Sequence, residues 1–481
     1  MSRRQLLVIG NGMVGQRLLE KLAASTHDYQ VTVLCEEPRP AYDRVGLSGF
    51  FNGKTAEDLS LIPAGFFAAS GITLHLSERA TGIDRELQRV TTSTGRTLPY
   101  DKLVLATGSY PFVPPIPGRD RKDCLVYRTI EDLIAIREAS RSARSGVVIG
   151  GGLLGLEAAK ALVDLGLQTH VIEFAPRLMA VQVDEGGGRV LRRHIESLGV
   201  RVHCGKSTTG IEAGTLHQHL LRFADGESVE TDLVVFSAGI RPQDALAKAG
   251  GLLVGPRGGI VIDNNCLTSD AQIYAIGECA LWEGRLFGLV APGYQMADVV
   301  ADSLLGQDTK RFTGADMSTK LKLMGVDVAS LGDAHSAVLD SQCCTLVDER
   351  AGVYKKLVIS KDGTRLLGGI LVGDASDYGT WQQLMLNSMQ LPAKPESLLV
   401  PAGDPGDSAG MGVAALPATA QICSCNNVSK GDICTAIDAG VVTLGGMKKR
   451  NKAASSCGGC AQLVTQIIKA ELLRRGVAVN N

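Results

Sequence analysis

Net charge is almost absent from this sequence: 49 basic and 50 acidic side chains leave −1. No run of lysine or arginine is interleaved with aromatics, which make up only 4% of the residues. A nucleic-acid partner, which needs a basic face set with stacking rings, is therefore excluded from the working readings. Long apolar runs are missing too. Nothing approaches the roughly 20 residues that cross a bilayer, so no membrane partner is expected. The first residues, "MSRRQLLVIGNGMVG", place two arginines before an apolar run, the outline of a secretion signal. That run has strand length, ends in glycines and offers no small-residue cleavage site, so it reads as the first strand of a fold. Without an export signal, the twelve cysteines read as thiols or metal ligands of a cytoplasmic protein, not as a disulfide framework. At 481 residues the chain has room for about three domains.

Glycine, by contrast, is abundant, and many of its 57 copies fall in tight turns. Two stretches, "QLLVIGNGMVGQRLLEKL" and "GVVIGGGLLGLEAAKAL", repeat one pattern 140 residues apart. In each, a buried apolar strand enters Gly-x-Gly-x-x-Gly and leaves as a helix with apolar residues at helical spacing. The glycines are Gly10, Gly12 and Gly15, then Gly150, Gly152 and Gly155. In such a turn the first glycine bends the chain and the second lets the backbone approach a pyrophosphate. The third lets helix pack on strand, and the helix start faces the negative charge. A second strand follows each motif. "YQVTVLCEE" ends at Glu36, 21 residues beyond Gly15, and "LQTHVIEFAP" reaches Glu173, 18 beyond Gly155. A carboxylate there accepts both ribose hydroxyls and repels a 2′-phosphate. Glu173 therefore favours NADH, while Arg177 nearby keeps NADPH open.

"YDKLVLATGSYPFVPPIPG" is an apolar strand breaking at Ala106-Thr107-Gly108 into a proline-rich crossover, and "TDLVVFSAGIRPQ" has the same form. "TSDAQIYAIGECA" is a strand ending at Gly277-Glu278, and "APGYQMADVVADSL" begins a helix behind Pro292 and Gly293. With these segments the chain resembles the two-dinucleotide flavoproteins, the pyridine nucleotide-disulfide oxidoreductases and rubredoxin- or ferredoxin-type reductases. The resemblance implies FAD on Gly10, Asn11, Gly12, Met13, Val14, Gly15, Glu36, Arg44, Thr107, Gly108, Arg128, Gly277, Glu278, Pro292 and Gly293. It implies the nicotinamide nucleotide on Gly150, Gly152, Leu154, Gly155, Glu157, Glu173 and Gly239, with Glu157 orienting the carboxamide. Glu278 would meet the flavin ribitol. Most members have Asp there, so the longer side chain calls for a small backbone adjustment. The helix after Pro292 would turn its positive end to the flavin.

Disulfide reductases of this family need a redox cysteine shortly after the second strand, and "EEPRPAYDRVGLSGFFNG" contains none. Cys35, Cys124, Cys204, Cys266, Cys279, Cys343 and Cys344 read as packing residues. "YKKLVISKDGTRLLGGILVG" reads as two strands joined by an Asp-Gly turn, followed by the helix "GTWQQLMLNSM". In the resembled family this is an interface domain, which supports a homodimer or covers the flavin. His217 and His219 have metal-like spacing but read as solvated residues on a lone strand. "VPAGDPGDSAGMGVAALP" lacks periodicity and reads as a linker.

The tail carries Cys423-x-Cys425 and, after 31 intervening residues, Cys457-x-x-Cys460. "SKGDICTAIDAG" reads as a short helix from Ser429 to Gly440, with Cys434 in its core. The last helix starts at Cys460, so its amide donors face the thiolates. A structural zinc site is the alternative. Cys-x-Cys is unusual for zinc, and a flavin lacking a redox thiol needs a one-electron exit, which an iron–sulfur centre supplies. The arrangement resembles the bacterioferritin-associated ferredoxin-like [2Fe–2S] domain, which implies Cys423, Cys425, Cys457 and Cys460 as ligands.

The fold expected is α/β: two Rossmann-like domains, the second inserted into the first, then an α+β interface domain and a small helical [2Fe–2S] domain. The boundaries are 1–115 with 245–310 for FAD, 116–244 for NAD(P)H, 311–400, a linker 401–417, and 418–481. From Leu6 to the last residues the chain resembles the amino-terminal, diaphorase half of the large subunits of NAD(P)H-dependent nitrite reductases. Besides "ICSC…CGGC", "CEEPRPAYDRVGLS", "YRTIEDL" and "GLVAPGY" carry that likeness. The resemblance implies hydride transfer to flavin N5, then single electrons passed through the cluster to a sirohaem centre that reduces nitrite to ammonia. The sirohaem and [4Fe–4S] module needs a further four-cysteine set that is not here, so a missing half or a partner would carry it. The alternatives are a stand-alone electron-transfer subunit of assimilatory nitrate reductase, a rubredoxin- or ferredoxin-type reductase, and an NADH-sensing flavoprotein with a zinc tail.

Overall fold

The computed structural model describes residues 3–400, 413, 416–423, 426–455 and 458–476. The chain divides into two compact units. One comprises Met1–Phe112, Arg128–Ile134 and Gly239–Asp316, the other Val113–Tyr127, Ala135–Ala238 and Met317–Asn481.

The first unit is built on a five-stranded parallel sheet in the spatial order Ile273–Ala275, Lys102–Leu105, Arg4–Ile9, Tyr29–Leu34, Thr73–His75. Apart from the edge strand Thr73–His75, these strands are largely apolar and buried because both faces are covered. Helix Met13–Ala23 lays Leu18, Leu19 and Leu22 on one face and packs against helix Val290–Leu304. The chain runs outward from Arg4–Ile9 on one side and returns on the other. The end of that strand is therefore a topological switch point, where a crevice opens.

The second unit repeats this plan with Arg201–Cys204, Gln168–Glu173, Ser145–Ile149, Leu233–Phe236 and Cys124–Val126, all parallel. A three-stranded antiparallel sheet, Thr208–Ala213, His219–Phe223 and Ser228–Thr231, packs Ile211, Leu221 and Phe223 against it. A five-stranded antiparallel sheet follows, in the order Thr319–Leu323, Val326–Gly332, Leu366–Gly373, Val353–Ile359, Gln342–Asp348. Trp381 and Leu384 of helix Tyr378–Leu386 are buried in the core on that sheet. The expected hairpin is present at Val353–Ile359 and Leu366–Gly373, but its sheet holds three further strands.

The antiparallel sheet is seated on helix Glu185–Ser197, in which three successive glycines follow Glu185. A Cβ on Gly186 would stand 2.4 Å from the Tyr354 ring, and one on Gly188 would stand 3.0 Å from Arg177. Glycine costs a helix about 1 kcal/mol relative to alanine, and here it admits a ring to the backbone. Asp184 caps the same helix at Gly187 N and accepts from Tyr354 Oη at 2.7 Å, with Lys356 Nζ at 3.2 Å.

In the tail, strand Gln421–Cys423 pairs with Val428–Ser429, and helices Lys430–Asp438, Leu444–Arg450 and Ala461–Arg474 follow. Ser429 and Asp432 form a reciprocal capping box at the start of the first of these. Most of the expected linker, and Cys425 and Cys457, lie outside the described residues. Among the described residues no helix is long and apolar enough to cross a membrane.

Candidate functional site: two glycine cradles and a thiol pair

The two glycine turns have the same division of labour. Gly10 has φ +108°, and a Cβ there would lie 2.2 Å from Ala106 O. One on Gly15 would lie 2.4 Å from Gly10 O. In the second turn Gly150 has φ +121° and faces Ser237 O at 2.2 Å, while Gly155 faces Gly150 O at 1.9 Å. The middle glycines differ: nothing lies within 4 Å of a Cβ on Gly12 or Gly152. The outer glycines are thus filled by the chain itself, and the middle ones face open space where a pyrophosphate fits. Gly12 and Gly152 start their helices without a side-chain cap, and neither first turn holds an acid. Their amide donors are left for an anion.

Three distant motifs converge at the first cradle. A Cβ on Gly293 would meet Val14 Cγ2 at 2.5 Å and Gly277 Cα at 3.3 Å. Gly277, at φ +81°, faces the same valine. The helix starts at Val290, so Pro292 and Gly293 stand inside its first turn, not ahead of it as the sequence suggested. Its N-cap is Leu289, and Pro292 needs no amide donor that early in a helix.

Glu278 sits in a half-buried charge network. Its Oε2 accepts from Arg128 Nη2 at 2.6 Å and from Ser109 Oγ at 2.6 Å. Arg128 also donates to Ser109 Oγ at 2.8 Å. Arg44 pairs with Glu37, donates to Arg128 O at 3.2 Å and stacks 4.8 Å over the Tyr42 ring. Tyr42 donates to Glu37 Oε2 at 2.7 Å, and burial pushes its phenol well up. Buried Asn11 accepts from Ala41 N at 3.0 Å. Thr107 donates to Gln243 O at 2.6 Å, and Gly108 turns the chain at φ +69°. Glu36 is exposed just past its strand. Sequence reasoning missed Glu37 and Ser109. The adjacent acid pair Glu36-Glu37, and a hydroxyl next to the Thr107-Gly108 break, were the available signals.

At the second cradle the strand-end acid is tied into the turn itself. Glu173 Oε2 accepts from Gly151 N at 2.5 Å, and Oε1 from Ala175 N at 2.7 Å. The carboxylate braces the glycine turn. Arg177 donates Nε to Val183 O at 2.9 Å and is committed to its own loop. Leu154 and Glu157 lie half-buried at the start of the helix. Burial, and secondarily Glu157, pushes the Tyr127 phenol up. Gly239 has φ +103°.

In the tail, Cys423 and Cys460 come together although they stand 37 positions apart. Cys423 is buried, and the neighbouring Cys460 thiol holds it down to about 6, against burial. The amides of Ala454 and Asn426 act in the same direction, with Asn426 Nδ2 3.8 Å from the sulfur. Cys460 is the N-cap of helix Ala461–Arg474. Asn427, Lys452 and Ala454 hold positive φ without being glycine, which marks a pre-shaped pair of loops. This donor set fits a thiolate-ligated metal centre. Among the described residues no third ligand joins the two thiols.

Some single-residue expectations hold and others need correction. Cys35, Cys266 and Cys279 are buried, as packing residues are, and burial pushes Cys35 up to about 11. Cys343, however, is exposed on an edge strand and does no packing. Cys434 is only half-buried on its helix. His219 is 1% exposed and accepts from Arg121 Nε at 3.2 Å, and half-buried His217 faces Asp232 at 3.0 Å. Neither is a solvated residue of a lone strand, because their hairpin packs on the parallel sheet.

Residues 4–300 match the family model for pyridine nucleotide-disulphide oxidoreductases. The chain belongs to that family. Residues 318–389 match the rubredoxin NAD+ reductase C-terminal domain, and 421–470 match the BFD-like [2Fe-2S] binding domain. Among curated relatives, the chain is 53% identical over 484 residues to the nitrite reductase (NADH) large subunit of Escherichia coli, covering 100% of this chain and 57% of that one. It is 35% identical to the assimilatory nitrate reductase electron transfer subunit of Bacillus subtilis, covering 98% and 60%. The chain thus spans little more than half the length of the relatives it matches. Among solved structures it resembles the ferredoxin reductase for the CYP199A2 system of Rhodopseudomonas palustris, with a TM-score of 0.73 and 27% identity over 82% of this chain and 96% of that one. Membership in an oxidoreductase family that uses FAD and NAD, extended by a [2Fe–2S] domain, agrees with the expectation from sequence.

Proposed function

We propose that this chain is the diaphorase part of an NAD(P)H-dependent nitrite reductase. It takes reducing equivalents from NAD(P)H and delivers single electrons to a sirohaem centre that reduces nitrite to ammonia. That centre, with its [4Fe–4S] cluster, belongs to a further module or a partner. The observation that carries the reading is the meeting of Cys423 and Cys460 in a chain whose FAD-type unit has no redox thiol. Reducing equivalents need a one-electron exit, and the paired thiols fit one.

Gly12 admits the FAD pyrophosphate to the backbone, and Glu36 is free to take its ribose. Val14, Gly277 and Gly293 shape the floor, and the Arg128–Glu278 pair with Ser109 holds the ribitol side rigid. Gly152 and Glu173 receive NADH, and Glu157 orients the carboxamide beside the buried Tyr127. Cys423, Cys425, Cys457 and Cys460 hold the [2Fe–2S] cluster, with amide donors favouring the thiolate form. Flavin and cluster, when bound, supply the conversion of a hydride into two one-electron deliveries. A cytoplasmic setting keeps the ligand thiols reduced. The likeness to a nitrate reductase electron-transfer subunit favours one second reading, in which the acceptor is nitrate reductase and the chain acts in the same manner.

The test is anaerobic titration of the purified chain with NADH. Flavin absorbance should bleach and an electron paramagnetic resonance signal of a reduced [2Fe–2S] cluster should grow in. Stoichiometric zinc in place of iron, or a cluster that stays oxidised beside bleached flavin, overturns the reading.

A further inference from the structure

The tail rests on one helix of the domain before it. Gln383, in helix Tyr378–Leu386, is 1% exposed. Its Nε2 donates to Gln421 O at 2.8 Å. Asn387 Nδ2 donates to Gln383 Oε1 at 3.0 Å, which fixes the amide with its donor end toward the tail. Gln421 opens the strand that ends in Cys423. One turn earlier on the same helix, a Cβ on Gly379 would stand 3.3 Å from Leu463 Cβ, and Leu463 lies in the first turn after Cys460. Next to it, Lys320 Nζ donates to Gln462 Oε1 at 3.3 Å and stands 5.9 Å over the Tyr378 ring. Positions 379 and 383 are four apart, so they share one helix face. One face therefore touches both segments that bear the described cysteines, at two residues before Cys423 and three after Cys460.

We propose that helix Tyr378–Leu386 is the socket that sets the two cysteine-bearing segments relative to each other, with Gln383 a positioning residue for Cys423. The role in electron transfer rests on the function proposed above; the docking itself does not. Partners that orient a ligand from outside the ligand shell tune a metal centre as strongly as the ligands' own surroundings do. A half-buried carbonyl such as Gln421 O, once deprived of its donor, loosens the strand it belongs to.

The experiment compares the full chain with Gln383→Met, which keeps the length of the side chain and removes its donor, and with Gln383→His, which returns a donor at similar reach. Amide exchange over Gln421–Cys423 and Val428–Ser429 should rise about tenfold in Gln383→Met and return in Gln383→His. Exchange in strands Val353–Ile359 and Leu366–Gly373 should stay as in the parent. The resonance lines of the NADH-reduced cluster should shift and broaden in Gln383→Met and recover in Gln383→His. Unchanged exchange and unchanged lines in Gln383→Met overturn the proposal. If that variant does not fold, Gly379→Leu tests the same face through Leu463. Faster exchange at Ala461–Thr465 supports the socket, and parental exchange there overturns it. Should the parent chain carry zinc and no iron, the electron-transfer reading fails while the exchange data still decide the docking.

Discussion

The two glycine cradles share a backbone and differ in what surrounds it. The first is ringed by half-buried ion pairs, Arg44 with Glu37 and Arg128 with Glu278, and floored by Val14, Gly277 and Gly293. Its strand-end acid stays exposed. The second shows no such ring among the described residues, and its acid folds back to hold Gly151 and Ala175. Fixed charge and packing around one turn suit a cofactor that stays. A self-braced turn suits a nucleotide that comes and goes, because it holds its shape between visits.

The largest way to break this comparison is at the shared backbone. Gly10→Ala and Gly150→Ala each drive a Cβ into a carbonyl at 2.2 Å and at positive φ. Each should cost more than about 3 kcal/mol, read as loss of soluble folded protein or a large fall in Tm. Gly12→Ala and Gly152→Ala meet nothing and should leave Tm nearly unchanged. The first should lose flavin on gel filtration and the second should lose NADH affinity. Next in size is the ion-pair ring. Arg128→Leu leaves Glu278 half-buried and unpaired, and destabilisation of about 3 kcal/mol should appear in chemical denaturation together with flavin loss. Smaller is the brace. Glu173→Ala should raise KM for NADH about tenfold with little effect on flavin content, and should narrow the preference over NADPH.

The smallest effect concerns acid. Burial lowers the imidazoles of His170, to about 4, and of His203 and His219, all in the second unit. These groups are neutral in both states above their unfolded value, near 6.5. As pH falls below that value the unfolded chain takes up protons and the folded chain does not, so stability drops progressively toward pH 4. Calorimetry between pH 7 and 5 should show the second unit's transition moving down. The double variant His170→Phe, His203→Phe should flatten that dependence.

Much of this arrangement was legible because its signals are local. Glycine spacing and the strand-end breaks at Thr107-Gly108 and Ser237–Gly239 lie within a few residues of what they shape. The unread parts depend on contacts made across long separations. Strand Gln342–Asp348 lies at a sheet edge, with Cys344 and Leu346 partly buried against the core and Cys343 and Val347 exposed on the other face, so apolar residues stand on both faces and leave no clean alternation for a reader to find. Thr319–Leu323 is short and broken by lysines. Ser109 and Glu37 gain their roles only from Arg128 and Arg44, which local spacing does not reveal. His219 looked solvated in "TLHQHLLRF" because nothing in those nine residues announces the sheet beneath them.

Gly186, Gly187 and Gly188 have a further consequence. A segment with three glycines is a poor helix by its own propensity, so its helicity is borrowed from the Tyr354 ring and the Asp184–Lys356 pair that lean on it. The first turn of Glu185–Ser197 is thus a built-in strain gauge for the seam between the nucleotide domain and the antiparallel sheet. Loosening that seam should melt this turn before any other part of the helix, and its amide signals would report the seam's condition without a label.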